Sequence, residues 1–269
     1  FTCKELTSAA GNVSTGSMVC WQWHCDAGDR ITFNESGNNP GGVRQTNATA
    51  GLSIIRYTGT GADASCALAH GLGKAPEMVI FKRGNATNWW VTYHQGIGVN
   101  YKLALQSTDA KDSDGAFMNG TIPDATNIYV GGTSVHTNAD GGDYLAYAWT
   151  SIQGYSKFGT YVGNASADGP FVYTGFQPAW VMIKTVGTTD DWYIFDNKRE
   201  GYNPSVWRIR ANTTGGDTTG TNNTVDHLSN GFKLRFTGGS INGSGLAYLY
   251  IAFAENPFVT STGVPATAR

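Results

Sequence analysis

One short string constrains this chain more than any other. Tyr248-Leu-Tyr-Ile-Ala-Phe253 has a counterpart in Tyr144-Leu-Ala-Tyr-Ala-Trp149 and a looser one in Met18-Val-Cys-Trp-Gln-Trp23. In each, alternate residues are large and apolar: Leu249, Ile251 and Phe253; Leu145, Tyr147 and Trp149; Val19, Trp21 and Trp23. A period of two sets such residues on one face of a strand, whereas a helix needs spacings of three and four. This is a β-strand written three times, and its large residues are expected to point inward. The apolar run that contains the last copy is closed by Glu255, Asn256 and Pro257. It stops far short of the ~20 residues of a membrane-crossing helix.

The match extends upstream. Pro76-Glu-Met-Val-Ile-Phe-Lys82 aligns on Pro178-Ala-Trp-Val-Met-Ile-Lys184, and Asn88-Trp-Trp-Val-Thr-Tyr93 on Asp190-Asp-Trp-Tyr-Ile-Phe195. Tyr57 falls on Tyr161, and Tyr101-Lys-Leu-Ala-Leu105 loosely on Trp207-Arg-Ile-Arg-Ala211. Two units follow, over residues 52–153 and 154–258, each the size of an independent domain rather than a solenoid turn. Residues 1–26 keep the last strand of a preceding unit, 27–51 read as a linker or extended arm, and 259–269 as a tail. Gly-rich clusters such as Asn138-Ala-Asp-Gly-Gly142 and Gly238-Gly-Ser-Ile-Asn-Gly243 punctuate the short runs. With 36 Gly in 269 residues, many turns and few helices are expected. The fold class is all-β: two tandem antiparallel β-sandwiches, jelly-roll or concanavalin-like, after an extended N-terminal segment. Ile152-Gln-Gly-Tyr155 is too short for the units to tumble freely, so they should stack as a rod.

Charge narrows the function. Only 14% of residues are charged and the formal net charge is -2, so no basic stripe is present for nucleic acid. The four cysteines, Cys3, Cys20, Cys25 and Cys66, lack the paired spacing of structural zinc and read as thiols rather than ligands. No metal or cofactor is expected. The start at Phe1-Thr2-Cys3 has no signal peptide and reads as the continuation of something longer.

The second unit contains Tyr155-Ser-Lys-Phe-Gly-Thr-Tyr-Val-Gly-Asn164, Leu228-Ser-Asn-Gly-Phe-Lys-Leu-Arg235 and Tyr250-Ile-Ala-Phe-Ala-Glu-Asn-Pro-Phe258. These, with Gly71-Leu-Gly-Lys-Ala-Pro-Glu-Met-Val-Ile80 in the first, resemble the C-terminal repeats of tail-fibre-like structural proteins of tailed phages, marine ones especially. The resemblance runs from about Val19 to Arg269. It implies a concanavalin-like sandwich in a virion appendage, made in a bacterial cytoplasm and placed for contact with a host surface. By analogy with such fibres, the partners are identical chains in a trimer and other virion proteins, with a host glycan as the outer contact.

Catalysis has a weaker claim. A glycosidase needs two carboxyl groups facing each other across the sugar bond, and no strand carries acidic residues alternately on one face. Asp190 and Asp191 are adjacent and would point apart. For ligand binding the candidates are Trp89, Trp90 and Tyr93, whose rings could meet sugar faces, and Asp196 with Arg199 in a polar loop. The bland readings are a strand packed in a core and an acid that ties its own turn. Trp89 and Trp90 cannot both face one core. Both faces of the repeated strand are apolar, with Tyr248, Tyr250 and Ala252 opposite Leu249, Ile251 and Phe253. Part of the outer sheet face therefore requires a cover, for which an identical chain is the expected source.

Overall fold

The computed structural model describes residues 22–25, 28, 30–132 and 134–256. Met18 to Trp21 of the third strand copy, Cys3, Cys20 and the tail lie outside them. The first unit runs through β1 (Ile31–Phe33), β2 (Gly42–Asn47), β3 (Leu52–Thr58), β4 (Ser65–Ala69) and β5 (Met78–Arg83). It continues with β6 (Trp90–His94), β7 (Tyr101–Ala104), β8 (Asp112–Ser113), β9 (Asn127–Gly131) and β10 (Asp143–Trp149). The second unit has β11 (Ser156–Val162), β12 (Phe171–Tyr173), β13 (Pro178–Thr185), β14 (Tyr193–Asp196) and β15 (Ile209–Arg210). It ends with β16 (Val225–Leu228), β17 (Gly231–Leu234), the single turn α1 (Gly239–Asn242) and β18 (Ala247–Ala254).

The large sheets have the orders β1-β2-β3-β10-β5-β6-β7-β8 and β11-β18-β13-β14-β15. The run β3-β10-β5-β6-β7 is therefore the whole second sheet, met once before. Small sheets, β4-β9 and β12-β17-β16, cover one face of each. The fold is all-β and antiparallel, as the alternation requires. Within the segment read as a linker or extended arm, β1 and β2 extend the first sheet beyond β3, and Asn39 Oδ1 accepts the amide of Ala67 on β4 at 2.7 Å.

Twin residues make twin contacts. Tyr57 stacks on Tyr144 and Tyr161 on Tyr248, with centroids 5.2 and 5.0 Å apart. Tyr57 donates to the Thr137 carbonyl and Tyr161 to that of Ile241, both at 2.6 Å. Asn138 and Asn242 are fully buried and hold equivalent turns. The Oδ1 of Asn138 accepts the Thr60 amide at 3.0 Å, and that of Asn242 the Asn164 amide at 2.9 Å. Their Nδ2 groups donate to carbonyls of Ala62 and Gly132, and of Ser166 and Phe236. Each sandwich core lies behind such a frame. The first contains Ile55, Val79, Phe81, Leu68 and Val130; the second, Val181, Ile183, Phe195, Phe232 and Leu234.

The repeated strand corrects one expectation. Leu249, Ile251 and Phe253 do not enter their own sandwich; Tyr248, Tyr250 and Ala252 do. In β10, Tyr144, Ala146 and Ala148 likewise face the first core, while Tyr147 and Trp149 face out. Alternation alone could not choose, because both faces are apolar. The tyrosine hydroxyls decide it. Tyr144 Oη accepts the Ala139 amide and donates to the Val135 carbonyl, both at 3.0 Å. Tyr248 repeats this with Gly243 and Gly239. Only the inward side offers those partners.

The outward rows meet each other. Met78, Ile80 and Leu103 of the first sheet pack against Phe158, Trp180, Met182, Trp192, Ile194, Leu249, Ile251 and Phe253 of the second in one buried layer. The units are stacked large sheet on large sheet, rather than end to end along a rod, so the apolar face gets its cover from within the same chain. Trp23 joins this layer edge-on to Trp180 and Phe253, at 5.7 and 5.4 Å. Hydrogen bonds rim it: Trp192 Nε1 donates to the Ala104 carbonyl at 3.0 Å. Asp190 N–H donates to the Thr108 carbonyl at 2.8 Å and Lys111 N–H to that of Val186 at 2.9 Å. Lys184, fully buried, donates to the carbonyls of Thr108 and Asp190 at 3.0 and 2.8 Å, and burial lowers its pKa to about 8.

Two outcomes follow. Truncating Ile251 to Ala removes a buried side chain from this layer and should cost about 2–5 kcal/mol. In urea, both units should then unfold together at a lower midpoint; a midpoint unchanged from the parent chain would show the layer to be incidental. The second concerns His94, which pairs with Met78 across β5 and β6 and is fully buried. Its Nδ1 accepts the Gly96 amide at 3.0 Å, and Nε2 makes no hydrogen bond of ordinary geometry. Burial lowers its pKa to about 4, partly offset by the nearby Tyr250 carbonyl. The unfolded ring takes its proton near pH ~6.5 and the folded one does not, so stability falls as pH drops from there toward 4, by about 3 kcal/mol in all. Urea midpoints between pH 7 and 4 should fall less steeply in His94→Phe; parallel slopes would remove His94 as the cause.

Candidate functional site

Trp89 and Trp90, at the start of the interior strand β6, have different surroundings. Trp89 is 43% and Trp90 37% exposed. Trp89 is stacked on His136, centroids 5.6 Å apart, with Lys102 Nζ 5.7 Å from its ring. Lys102 is itself held by Asp112 and Asp114, both at 2.8 Å. Trp90 lies near Lys82, 5.9 Å from the ring centroid. No shared platform forms. Tyr93, 4% exposed, belongs to the first core, and burial pushes its pKa up to about 12.

Asp196 and Arg199 are turned inward as the frame of their loop. Asp196, 3% exposed, accepts the amides of Lys198 and Arg199 through Oδ1 at 3.1 and 3.0 Å. Its Oδ2 accepts Arg199 Nε at 2.5 Å, and Arg199 also pairs with Asp217 at 3.1 Å. The bonds are those of an acid tying its own turn. What they hold up is more open. Gln177, Asn197, Lys198, Gly201, Tyr202, Asn203 and His227 line a cleft of about 380 Å³. Tyr202 stands at its side, 70% exposed, and His227 is only 5% exposed.

Four of the wall residues are positioned by side-chain hydrogen bonds. Asn203 pairs with the main chain of His227, accepting its N–H and donating to its carbonyl, both at 2.9 Å. The His227 ring reaches the Pro178 carbonyl through Nδ1 at 3.1 Å. Asn197 Nδ2 donates to Glu255 Oε2 at 2.6 Å, and Lys198 to Glu255 Oε1. Burial pushes the Glu255 carboxyl up, but those two bonds outweigh it and its pKa is lowered. Among the described residues no group of three or more His, Cys, Asp and Glu is placed to hold a metal ion. The space between the two large sheets, about 230 Å³ beside Trp23, has a wholly apolar lining.

Sequence reasoning reached this loop through Asp196 and Arg199, which the structure turns inward. Asn197, Tyr202, Asn203 and His227 went unnoticed because no strand alternation marks them. The available signal was length: the connection from β14 to β15 is longer than its twin from β6 to β7.

A family model described as a domain of unknown function, DUF7483, matches residues 1–257. The chain belongs to the DUF7483 family. No curated protein and no solved structure matches it. The span shared with DUF7483 takes in the arm and both sandwiches. Replacing Asp196 by Ala leaves Arg199 buried with Asp217 alone, which should cost about 3 kcal/mol. Thermal melts would register this as an earlier transition; an unchanged melt would contradict the framing role.

Proposed function

We propose that this DUF7483 chain is a non-enzymatic structural protein of a virion appendage, the distal part of a phage tail fibre or a similar fibre that meets the host surface. The observation that carries this reading is the buried layer between the two large sheets. It turns tandem sandwiches into one stiff body, which a load-bearing appendage requires and a hinged enzyme does not. The motif likeness to tail-fibre repeats supports the same place.

The carboxylates support a non-catalytic reading. Glu77 accepts from Ser151, Glu200 accepts the Val206 amide at 2.6 Å, and Glu255 is held by Lys198 and Asn197. Asp191 pairs with Arg210, and Asp226 with Arg235. Acids so engaged frame turns and are poorly placed to trade protons with a glycosidic bond. Association of copies, if the fibre is a trimer, has to use a surface other than the covered face.

Antibody raised against this chain should label a tail or other surface appendage of phage particles from a lysate in which the chain is detected by mass. Label confined to unassembled protein would overturn the assignment. Purified chain should release no oligosaccharide from host envelope material; steady release would return the enzymatic reading.

A further inference from the structure

The cleft beside the Asp196 loop contains two buried acceptors that the protein itself leaves unused. His227 Nδ1 faces the Pro178 carbonyl at 3.1 Å. A carbonyl can only accept, so Nδ1 carries the ring proton and Nε2 of the neutral ring presents a lone pair. Asn197 is fixed in the same way. Its Nδ2 meets a carboxylate at 2.6 Å, which orients the amide and leaves Oδ1 as an acceptor. Neither His227 Nε2 nor Asn197 Oδ1 has a hydrogen-bond partner among the described residues, and both are shut off from solvent. Such groups cost about 1–3 kcal/mol each when left unpaired.

We propose that this cleft binds a neutral sugar, two hydroxyls of which donate to His227 Nε2 and Asn197 Oδ1. Both acceptors belong to residues that line this one cleft, so the ligand has to bring two donors, and a diol is the simplest that supplies them. A cation is disfavoured, because Lys198 lines the cleft and Glu255 is already engaged with it. Burial lowers the His227 pKa, which keeps the ring neutral and Nε2 an acceptor at neutral pH. Tyr202 supplies an exposed ring for the apolar face of a pyranose. Both acceptors are covered in the unliganded chain, so binding requires a side-chain movement at the cleft wall to admit the hydroxyls. The volume of about 380 Å³ lies at the low end of small-molecule sites and suits one or two sugar rings.

The first unit shows that the fold does not need this arrangement. There the positions matching Asp196 and Asn197 are His94 and Gln95. Gln95 spends its amide on the Phe158 carbonyl at 3.1 Å, inside the contact between the units. The first unit also has a cleft at its matching turn, lined in part by Gln95, Ile97 and Tyr101, but no histidine is among its lining residues, and the proposal holds wherever the chain is assembled.

The test is titration of the whole chain, with ring-nitrogen and amide NMR signals followed, against methyl α-glucoside, methyl α-mannoside and methyl β-galactoside. Cyclohexanol serves as the control with a single hydroxyl. At least one glycoside should saturate, shift the His227 Nε2 and Asn197 side-chain signals, and outcompete cyclohexanol. Tyr202→Ala, at an exposed position, should weaken binding about tenfold, a loss of ~1.4 kcal/mol, and His227→Phe should abolish it. If His227→Phe does not fold, the wild-type shifts and the Tyr202→Ala titration decide. Absence of binding to all three glycosides at tens of millimolar would overturn the proposal. So would equal binding of cyclohexanol, or shifts at Trp89 or Trp90 in place of His227.

Discussion

A sheet with two apolar faces has no stable place in water until the second face is covered, and here two such sheets cover each other. The layer holding Met78, Ile80, Phe158, Trp180, Trp192, Leu249, Ile251 and Phe253 is a third core, set between the cores of the two sandwiches. Four sheets and three apolar layers follow in sequence. Fully burying a Leu, Ile, Phe or Met side chain contributes about 1.5–3 kcal/mol. A layer of this many large residues therefore outweighs the few hydrogen bonds at its rim, which mainly fix the alignment of the sheets.

The halves are twins in fold but not in use. Lys184 and Trp192 bond carbonyls of the first unit, Thr108 and Ala104. Their counterparts Lys82 and Trp90 stay at the margin, Lys82 bonded to the nearby Asn88 carbonyl at 2.9 Å. The exposed strand edges are also treated differently. The edge of β3 is taken by β2 from the arm. At the matching edge of β11, the Phe158 N–H donates to Ser151 Oγ and its carbonyl accepts from Gln95, both at 3.1 Å. Each device uses up main-chain groups that would otherwise invite pairing with another chain. Because the first unit's turn after β6 is spent in this way, the second unit's turn after β14 is free to grow into a longer loop.

The duplication was legible because strand residues alternate and the alternation recurs in matching order. Tyr57 on Tyr161 and Tyr144 on Tyr248 could be paired from the letters alone. Which side of β18 faced its own core could not. Leu249 and Tyr250 are equally suited to burial, and the choice rests on hydroxyl bonds to turns distant in sequence. The expected cover was correct as a need and misplaced as to source, since nothing in the letters says that one outer face matches the other. At the candidate site, Asp196 and Arg199 drew notice as charges beside a strong strand. Their tie to their own turn and to each other was the bland reading of those letters, and the closed loop has it. His227 comes from a separate strand, so its meeting with Asn197 is a product of topology rather than of any local motif.

The central claim is that neither sandwich is complete without the other. It is tested most directly by producing residues 154–256 apart from the rest of the chain. The account predicts a piece that binds a hydrophobic dye, self-associates, and becomes soluble and compact when the first unit is supplied. A monomeric, sharply melting second sandwich with no dye binding would contradict it.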